Sequence, residues 1–212
     1  LDMLANGTNP PKIVPYMGDC YDSLNDVTFV LDENGNKSKR VVNEMIAKDG
    51  ERIDLVEDFT MQGEVEVYLN KLTDMMQKTL KHQMEIGMET GGSVEWGLSE
   101  DSSRHKWALK MPAQIVCTGS QIVWTEETEG ALELMEGGDV DAVKKYLQVQ
   151  LERLNNLIDL VLGKMAKGDR VKIITLITLD VHAKEIVERL ISQKIDSPGH
   201  FLWQQQLRFD WQ

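Results

Sequence analysis

The sequence predicts a mostly α-helical fold, an elongated array of antiparallel helices with one small β-meander or hairpin inserted near the start. Three observations carry that prediction. From Glu64 onward apolar residues recur at helical spacing: Val65, Leu69, Leu72, Met76 and Leu80 lay one stripe along a helix. Residues 27–57 instead hold β-branched and aromatic runs punctuated by Asn34-Gly35 and Asp49-Gly50. The connections between helical stretches are short, which favours antiparallel neighbours. The expected organisation is residues 1–62 as short helices plus the meander, and residues 63–212 as a helical bundle.

Taken in order, Pro10 and Pro11 end any helix begun at Leu1, because proline lacks the N–H and restricts the residue before it. A short helix is expected from Tyr16 to Leu24. Val27–Leu31, Val41–Ile46 and Arg52–Val56 read as three strands, with Asn-Gly as the hairpin signal because both residues tolerate φ > 0. The helix from Glu64 is expected to end near Gly87. Residues 89–102 read as loop, containing Trp96, with Glu100-Asp101-Ser102-Ser103 able to cap the next helical piece.

Pro112 suits the first position of a helix that runs to Glu136 and stops at Gly137-Gly138. Asp139 is placed to cap the next one. There Val140, Val143, Leu147, Leu151, Leu154, Ile158 and Val161 form the clearest stripe in the chain, a helix about 35 Å long at 1.5 Å per residue. Gly168-Asp169 breaks and caps again. Val171–Ile191 is apolar on most sides and is expected to be largely buried. Ser197-Pro198 caps a last short helix over His200–Gln206, and residues 207–212 extend beyond it.

Composition narrows function without naming it. Lys and Arg number 23 against 35 Asp and Glu, a net charge of −12. Nucleic acid and anionic membrane surfaces are poor partners for such a chain, since both need clustered cations. The longest near-apolar run, Ile173–Leu179, is far short of the ~20 residues of a membrane span. Cys20 and Cys117 lie far apart and outside any CxxC, so a reducing setting is the expectation. The apolar start at Leu1 and aromatic end at Phe209-Asp210-Trp211 suggest a piece of a longer chain.

Candidate chemistry is sparse. Asp32, Asn34, Asn36 and Ser38 occupy positions of a calcium loop, but Lys37 stands where glycine is needed and Asn43 where a bidentate Glu is needed. A hairpin turn accounts for them better. Asp180, His182 and Glu185 form the densest polar cluster on an apolar helix, and His182 and Glu185 share a face. A histidine hydrogen-bonded to a neighbouring helix is the simpler account, half of a metal site or a metal hydrolase the sharper one. Cys117 reads as core. No G-x-S-x-G, G-x-x-x-x-G-K-[ST] or G-x-G-x-x-G occurs, so the chain is not expected to be catalytic or to bind a nucleotide.

Several stretches together resemble one family. Met111-Pro112-Ala113-Gln114-Ile115-Val116, continuing to Ser120-Gln121-Ile122-Val123-Trp124-Thr125-Glu126, is similar to the "PAQ…QI.WT" stretch of dynein heavy chains. Ile177–Lys184 resembles their "T.DVHAR" stretch, and Phe201–Phe209 their "F.W..QLR". Lys48-Asp49-Gly50-Glu51 and Gly63–Leu69 fit the same order upstream. Lys184 replaces a common arginine, and Trp203-Gln204-Gln205-Gln206-Leu207-Arg208 departs from a "WL.QLR" run. The details around Asn9-Pro10, Gly18-Asp19 and Asp32–Ser38 look more axonemal than cytoplasmic.

The resemblance implies the C-terminal half of the linker, the helical arm that crosses the motor ring just before the first AAA+ module. It marks Pro112, Gln114, Gln121, Trp124, Asp180, His182 and Trp203 as family-signature and packing residues. Leu207, Arg208, Phe209 and Trp211 would form the junction to the ring. The implied partner is the AAA+ ring of the same heavy chain, with the microtubule reached only through the full motor. ATP and Mg would belong to downstream modules, and the setting would be cytoskeletal, in a ciliary or flagellar axoneme. A free-standing helical adaptor is the alternative the residues alone leave open.

Overall fold

A computed structural model describes residues 2–91 and 104–211. The expected loop over 89–102, with Trp96 and the capping run Glu100–Ser103, falls largely outside the described residues. The chain gathers into two compact units, Leu1–Glu85 and Ile86–Gln212. The boundary expected from the onset of the helical period is at residue 62; the units part at 85, inside a helix.

In the first unit, α1 (Asp2–Ala5) is followed by α2 (Pro10–Ile13), a 3₁₀ turn at Val14–Tyr16 and α3 (Met17–Cys20). Pro10 and Pro11 open α2 rather than only ending what precedes it, because the first helical turn needs no N–H from them. The helix expected to reach Leu24 stops at Cys20. Tyr21 turns extended (φ −131°, ψ 135°), and its hydroxyl donates to the Leu69 carbonyl at 2.9 Å. Leu24 instead begins a strand.

Strands β1 (Leu24–Leu31), β2 (Lys37–Ala47) and β3 (Arg52–Thr60) form an antiparallel meander in the order β1-β2-β3. One device closes both hairpins. Gly35 N–H donates to the Asp32 carbonyl and Asp32 N–H to that of Asn36, each at 2.9 Å; Gly50 to Ala47 and Ala47 to Glu51 repeat the pattern. Gly35 (φ +78°) and Gly50 (φ +91°) each supply the one left-handed residue that such a turn requires. Asn34 does not adopt positive φ, so this is a longer turn than the two-residue form that Asn-Gly signals. The Asp32 carboxylate accepts from Asn36 N at 2.8 Å, Asn36 Nδ2 at 3.2 Å and Asn34 N at 2.9 Å, which holds its pKa below the usual carboxylate value. The calcium-loop positions thus act as turn residues.

Helix α4 (Val65–Gly91) lays Val65, Tyr68 and Leu72 over the sheet's buried face of Val27, Val42, Met45, Leu55 and Phe59, with Ile13, Met17 and Met61 completing the core. Tyr68 Oη reaches the Gly7 carbonyl at 2.9 Å, and Thr79 Oγ1 accepts from Val56 N at 3.2 Å, satisfying an amide on edge strand β3.

The expected stop at Gly87 is wrong by a turn. Gly87 lies inside α4 because it is a contact point: a methyl group there would sit 2.7 Å from Ile115 Cγ2, and its carbonyl accepts from Trp107 Nε1 at 2.9 Å. The second unit continues with α5 (Arg104–Lys110), α6 (Ala113–Glu136), α7 (Ala142–Leu162), α8 (Lys167–Ser192) and α9 (Phe201–Gln204). Helices α6, α7 and α8 pack on one another and α5 packs on α8.

The helix ends show how local chemistry was rearranged by packing. Pro112 stands at the N-cap of α6, one residue before the helix, and Asp141 rather than Asp139 precedes α7. Gly168-Asp169 sits in the first turn of α8. Arg170 closes the α7–α8 turn by donating to the carbonyls of Val161 and Gly163. His200, not Ser197, caps α9, its Nδ1 accepting from Leu202 N at 3.2 Å. Past α8, Ile195 N bonds Leu190 O and Lys194 N bonds Ile191 O, both at 3.0 Å, with Lys194 left-handed at φ +55°. This terminus normally takes glycine; here the buried contact of Ile195 with Leu190 holds it.

Two burial expectations fail. Val140 lies two residues ahead of α7 and is exposed, as is Ile158 on the helix, and the covered face runs through Val143, Tyr146, Gln150, Leu154 and Leu157. On α8 only Ile173, Leu176, Ile186, Val187 and Leu190 are buried, while Val171 and Ile174 are exposed. Cys117 is half-buried rather than core.

Candidate functional site: a polar layer and a C-terminal clasp

The covered face of α7 is apolar at both ends and polar in the middle. Tyr146, Gln150 and Arg153 stand at spacings of four and three, so they share one helix face and meet α6 and α8 instead of water. Arg153 donates to Glu127 of α6 in a fork, Nη1 to Oε2 at 2.6 Å and Nη2 to Oε1 at 2.9 Å. Arg104 of α5 makes the same bidentate fork to Asp180 of α8, with Nη2 to Oδ1 at 2.7 Å. Their side chains are only 12% and 9% exposed. The planar guanidinium matches two carboxylate oxygens at once, so each pair fixes direction as well as distance.

Electrostatics follow from burial. The Tyr146 phenol is pushed far above its ordinary value, first by desolvation and then by the Glu127 charge. Burial alone would depress Arg153, but the hydrogen bond and charge of Glu127 outweigh it and the net shift is upward. Ser120, Trp124, Glu127, Tyr146, Gln150 and Asp180 surround a cavity of about 30 Å³ between the two forks. Ser120 Oγ, Trp124 Nε1 and Gln150 Oε1 are buried there without a protein partner.

Beside this layer the C-terminal segment clasps α6. Trp203 is fully buried, its ring edge-on to Trp124 at 5.3 Å and 64°. Its Nε1 donates to Glu129 Oε1 at 3.0 Å, and the same oxygen accepts from Arg208 Nη1 at 2.6 Å. The Arg208 guanidinium lies 5.9 Å from the Trp203 ring centre and its Nη2 donates to Gln204 Oε1 at 2.8 Å. Phe209 N–H reaches Thr125 Oγ1 at 3.3 Å. A groove of about 150 Å³ follows, lined by Gln121, Trp124, Asp180, His182, Leu207 and Phe209 among others.

Residues from three distant sequence stretches therefore meet at one place. Pro112 and Gln114 lie at the start of α6, outside the groove. Pro112 is buried and Gln114 exposed. His182 is exposed and does not bridge helices; the carboxylate that does is Asp180. With Asp180 committed to Arg104, no group of three or more metal-ligating side chains assembles among the described residues. Trp203 is buried and Trp211 exposed. Sequence reasoning missed Arg104, Glu127, Glu129, Tyr146 and Arg153. The available signal was the polar interruption of the α7 stripe at Tyr146, Gln150 and Arg153.

No described helix is long and apolar enough to cross a membrane. The geometry defines a structural module: helices cross-tied by buried ion pairs and closed by a docked terminal segment. Residues 1–86, the whole first unit and one residue more, match the family described as Dynein heavy chain, N-terminal region 2. All of the chain aligns with human Dynein axonemal heavy chain 9 at 35% identity and with human Dynein axonemal heavy chain 17 at 36%. The Dynein beta chain, flagellar outer arm, of Chlamydomonas reinhardtii is 32% identical over 99% of the chain. The chain belongs to the dynein heavy chain family. It spans about 4% of the length of these relatives.

Proposed function

We propose that this chain is a lever segment of a dynein motor, the C-terminal half of its linker, in a ciliary or flagellar axoneme. It carries force from an AAA+ ring of the same heavy chain and reaches the microtubule only through the full motor. ATP and Mg belong to modules outside this sequence. The observation that supports the reading most is the polar layer. A lever must keep its helices in register under load. Two buried bidentate forks, Arg104–Asp180 and Arg153–Glu127, resist sliding because a displaced helix would strand a charge away from water. Continuous packing around them supplies stiffness.

A change between bent and straight lever states needs contacts that differ between those states. We assign some of them to the exposed acids of residues 49–58, among them Asp49, Asp54 and Asp58. The test is charge reversal, Asp54→Lys with Asp58→Lys, in the full motor. Slower microtubule gliding with altered coupling to ATP hydrolysis is expected. Gliding speed and coupling equal to the unaltered motor would refute the assignment.

A further inference from the structure

The β1–β2 hairpin carries a concentration of positive charge that the rest of this acidic chain does not explain. Lys37, Lys39 and Arg40 fall within four residues, and all three are exposed. Among the described residues none of the three is in an ion pair. The acid nearest in the turn, Asp32, has both oxygens taken by Asn34 and Asn36. Glu44, further along β2, is held by Arg52.

The strand geometry presents these cations outward. β3 pairs with β2 only from Val41 onward, with Val41 opposite Thr60, so the end of the hairpin runs on past the third strand. Between the pairs Phe29↔Val42 and Leu31↔Lys37, β2 has extra residues and bulges. Ser38 Oγ pins the bulge by accepting from Arg40 N at 3.2 Å and Val41 N at 2.9 Å. A bulge re-aims side chains out of the regular alternation. Leu31, paired with Lys37, is 58% exposed beside the charges.

We propose that this tip is a docking point for an acidic protein segment, with partner carboxylates on Lys37, Lys39 and Arg40 and a partner apolar side chain on Leu31. Charge complementarity chooses the occupant. A chain of net charge −12 repels the extended polyanion of a nucleic acid or an anionic bilayer, and Asp32 and Glu33 stand in the turn itself. A protein segment can place a few carboxylates on three cations and keep them off the turn. The proposal stands apart from the lever reading, which could fail while the tip still binds.

The experiment is carbodiimide crosslinking of the full-length protein, read by mass spectrometry at Lys37. The reagent joins Lys37 Nζ to a neighbouring carboxylate as an amide, with loss of water. The expected partners are Asp or Glu outside residues 1–85, with yield falling as salt is raised from about 50 mM to about 500 mM. Lys39→Glu with Arg40→Glu leaves Lys37 in place as the reporter and should cut its crosslinks about fivefold or more. Lys39→Gln with Arg40→Gln should give a smaller loss and guards against misfolding of the first variant. Crosslinks confined to Asp32 and Glu33, or equal yields in all three proteins, would overturn the proposal. So would cosedimentation with phosphatidylserine vesicles, or retention on a uridine-rich RNA, that the Lys39→Glu, Arg40→Glu variant abolishes.

Discussion

Truncating Glu127 to alanine should be among the most destabilising single changes available in the helical unit. The carboxylate receives two guanidinium bonds, at 2.6 and 2.9 Å, and side-chain exposure is 12% for Arg153 and 24% for Glu127. Neither group is exposed enough for solvent to screen the pair strongly. Removing one partner leaves an uncompensated charge in the interior, which costs about 3–5 kcal/mol. For a unit of this size that lowers the melting temperature by about 10 °C. Replacing both partners with apolar residues of similar size, Glu127→Leu with Arg153→Met, removes the stranded charge and should restore most of the loss. Urea unfolding of the chain, followed by circular dichroism, measures all three proteins. A loss below about 1 kcal/mol for Glu127→Ala would place the pair in the class of surface salt bridges and refute the argument from burial. A double variant no better than the single would also refute it.

Three further outcomes are expected. Gly87→Ala should destabilise by about 1–3 kcal/mol, because the added methyl meets Ile115 Cγ2 at 2.7 Å, and combined with Ile115→Ala, which removes that methyl, it should cost less than the two single losses summed in a double-variant melt. Lys194→Gly should stabilise by about 1 kcal/mol in urea titration, since it relieves a left-handed non-glycine residue at φ +55° while keeping the helix terminus; an unchanged midpoint would show that Lys194 is not strained. Tyr146 is raised above its ordinary value of 10.0, chiefly by burial. A raised folded value means stability is fully present below pH 10 and is lost as pH climbs toward the folded value. Alkaline titration should therefore unfold the chain as Tyr146 ionises, and Tyr146→Phe should flatten that slope; an alkaline unfolding curve unchanged by Tyr146→Phe would count against it.

Local order was legible in the residues because it is local physics. The period of Val65 to Leu80 marked a helix, β-branched runs and Gly35 and Gly50 marked the meander, and Gly137-Gly138 marked a helix stop. Strand lengths were underestimated, since β3 continues to Thr60 through acids that only an edge strand tolerates. Gly87 read as a terminus because a glycine that ends a helix and one that lets a neighbour approach are the same letter.

What the sequence alone determined is the long helices and the three strands, their order, the lack of catalytic and phosphate-binding motifs, and, through shared stretches, the family. The tertiary structure decided which polar residues carry the architecture. Arg104 and Asp180 are 76 positions apart, Arg153 and Glu127 26, and Arg208 and Glu129 79. No periodicity links such pairs, because their meeting depends on where helices cross. An arginine on a helix face scores as surface until a carboxylate from another helix stands opposite it, and burial then turns an ordinary charge into a constraint on register.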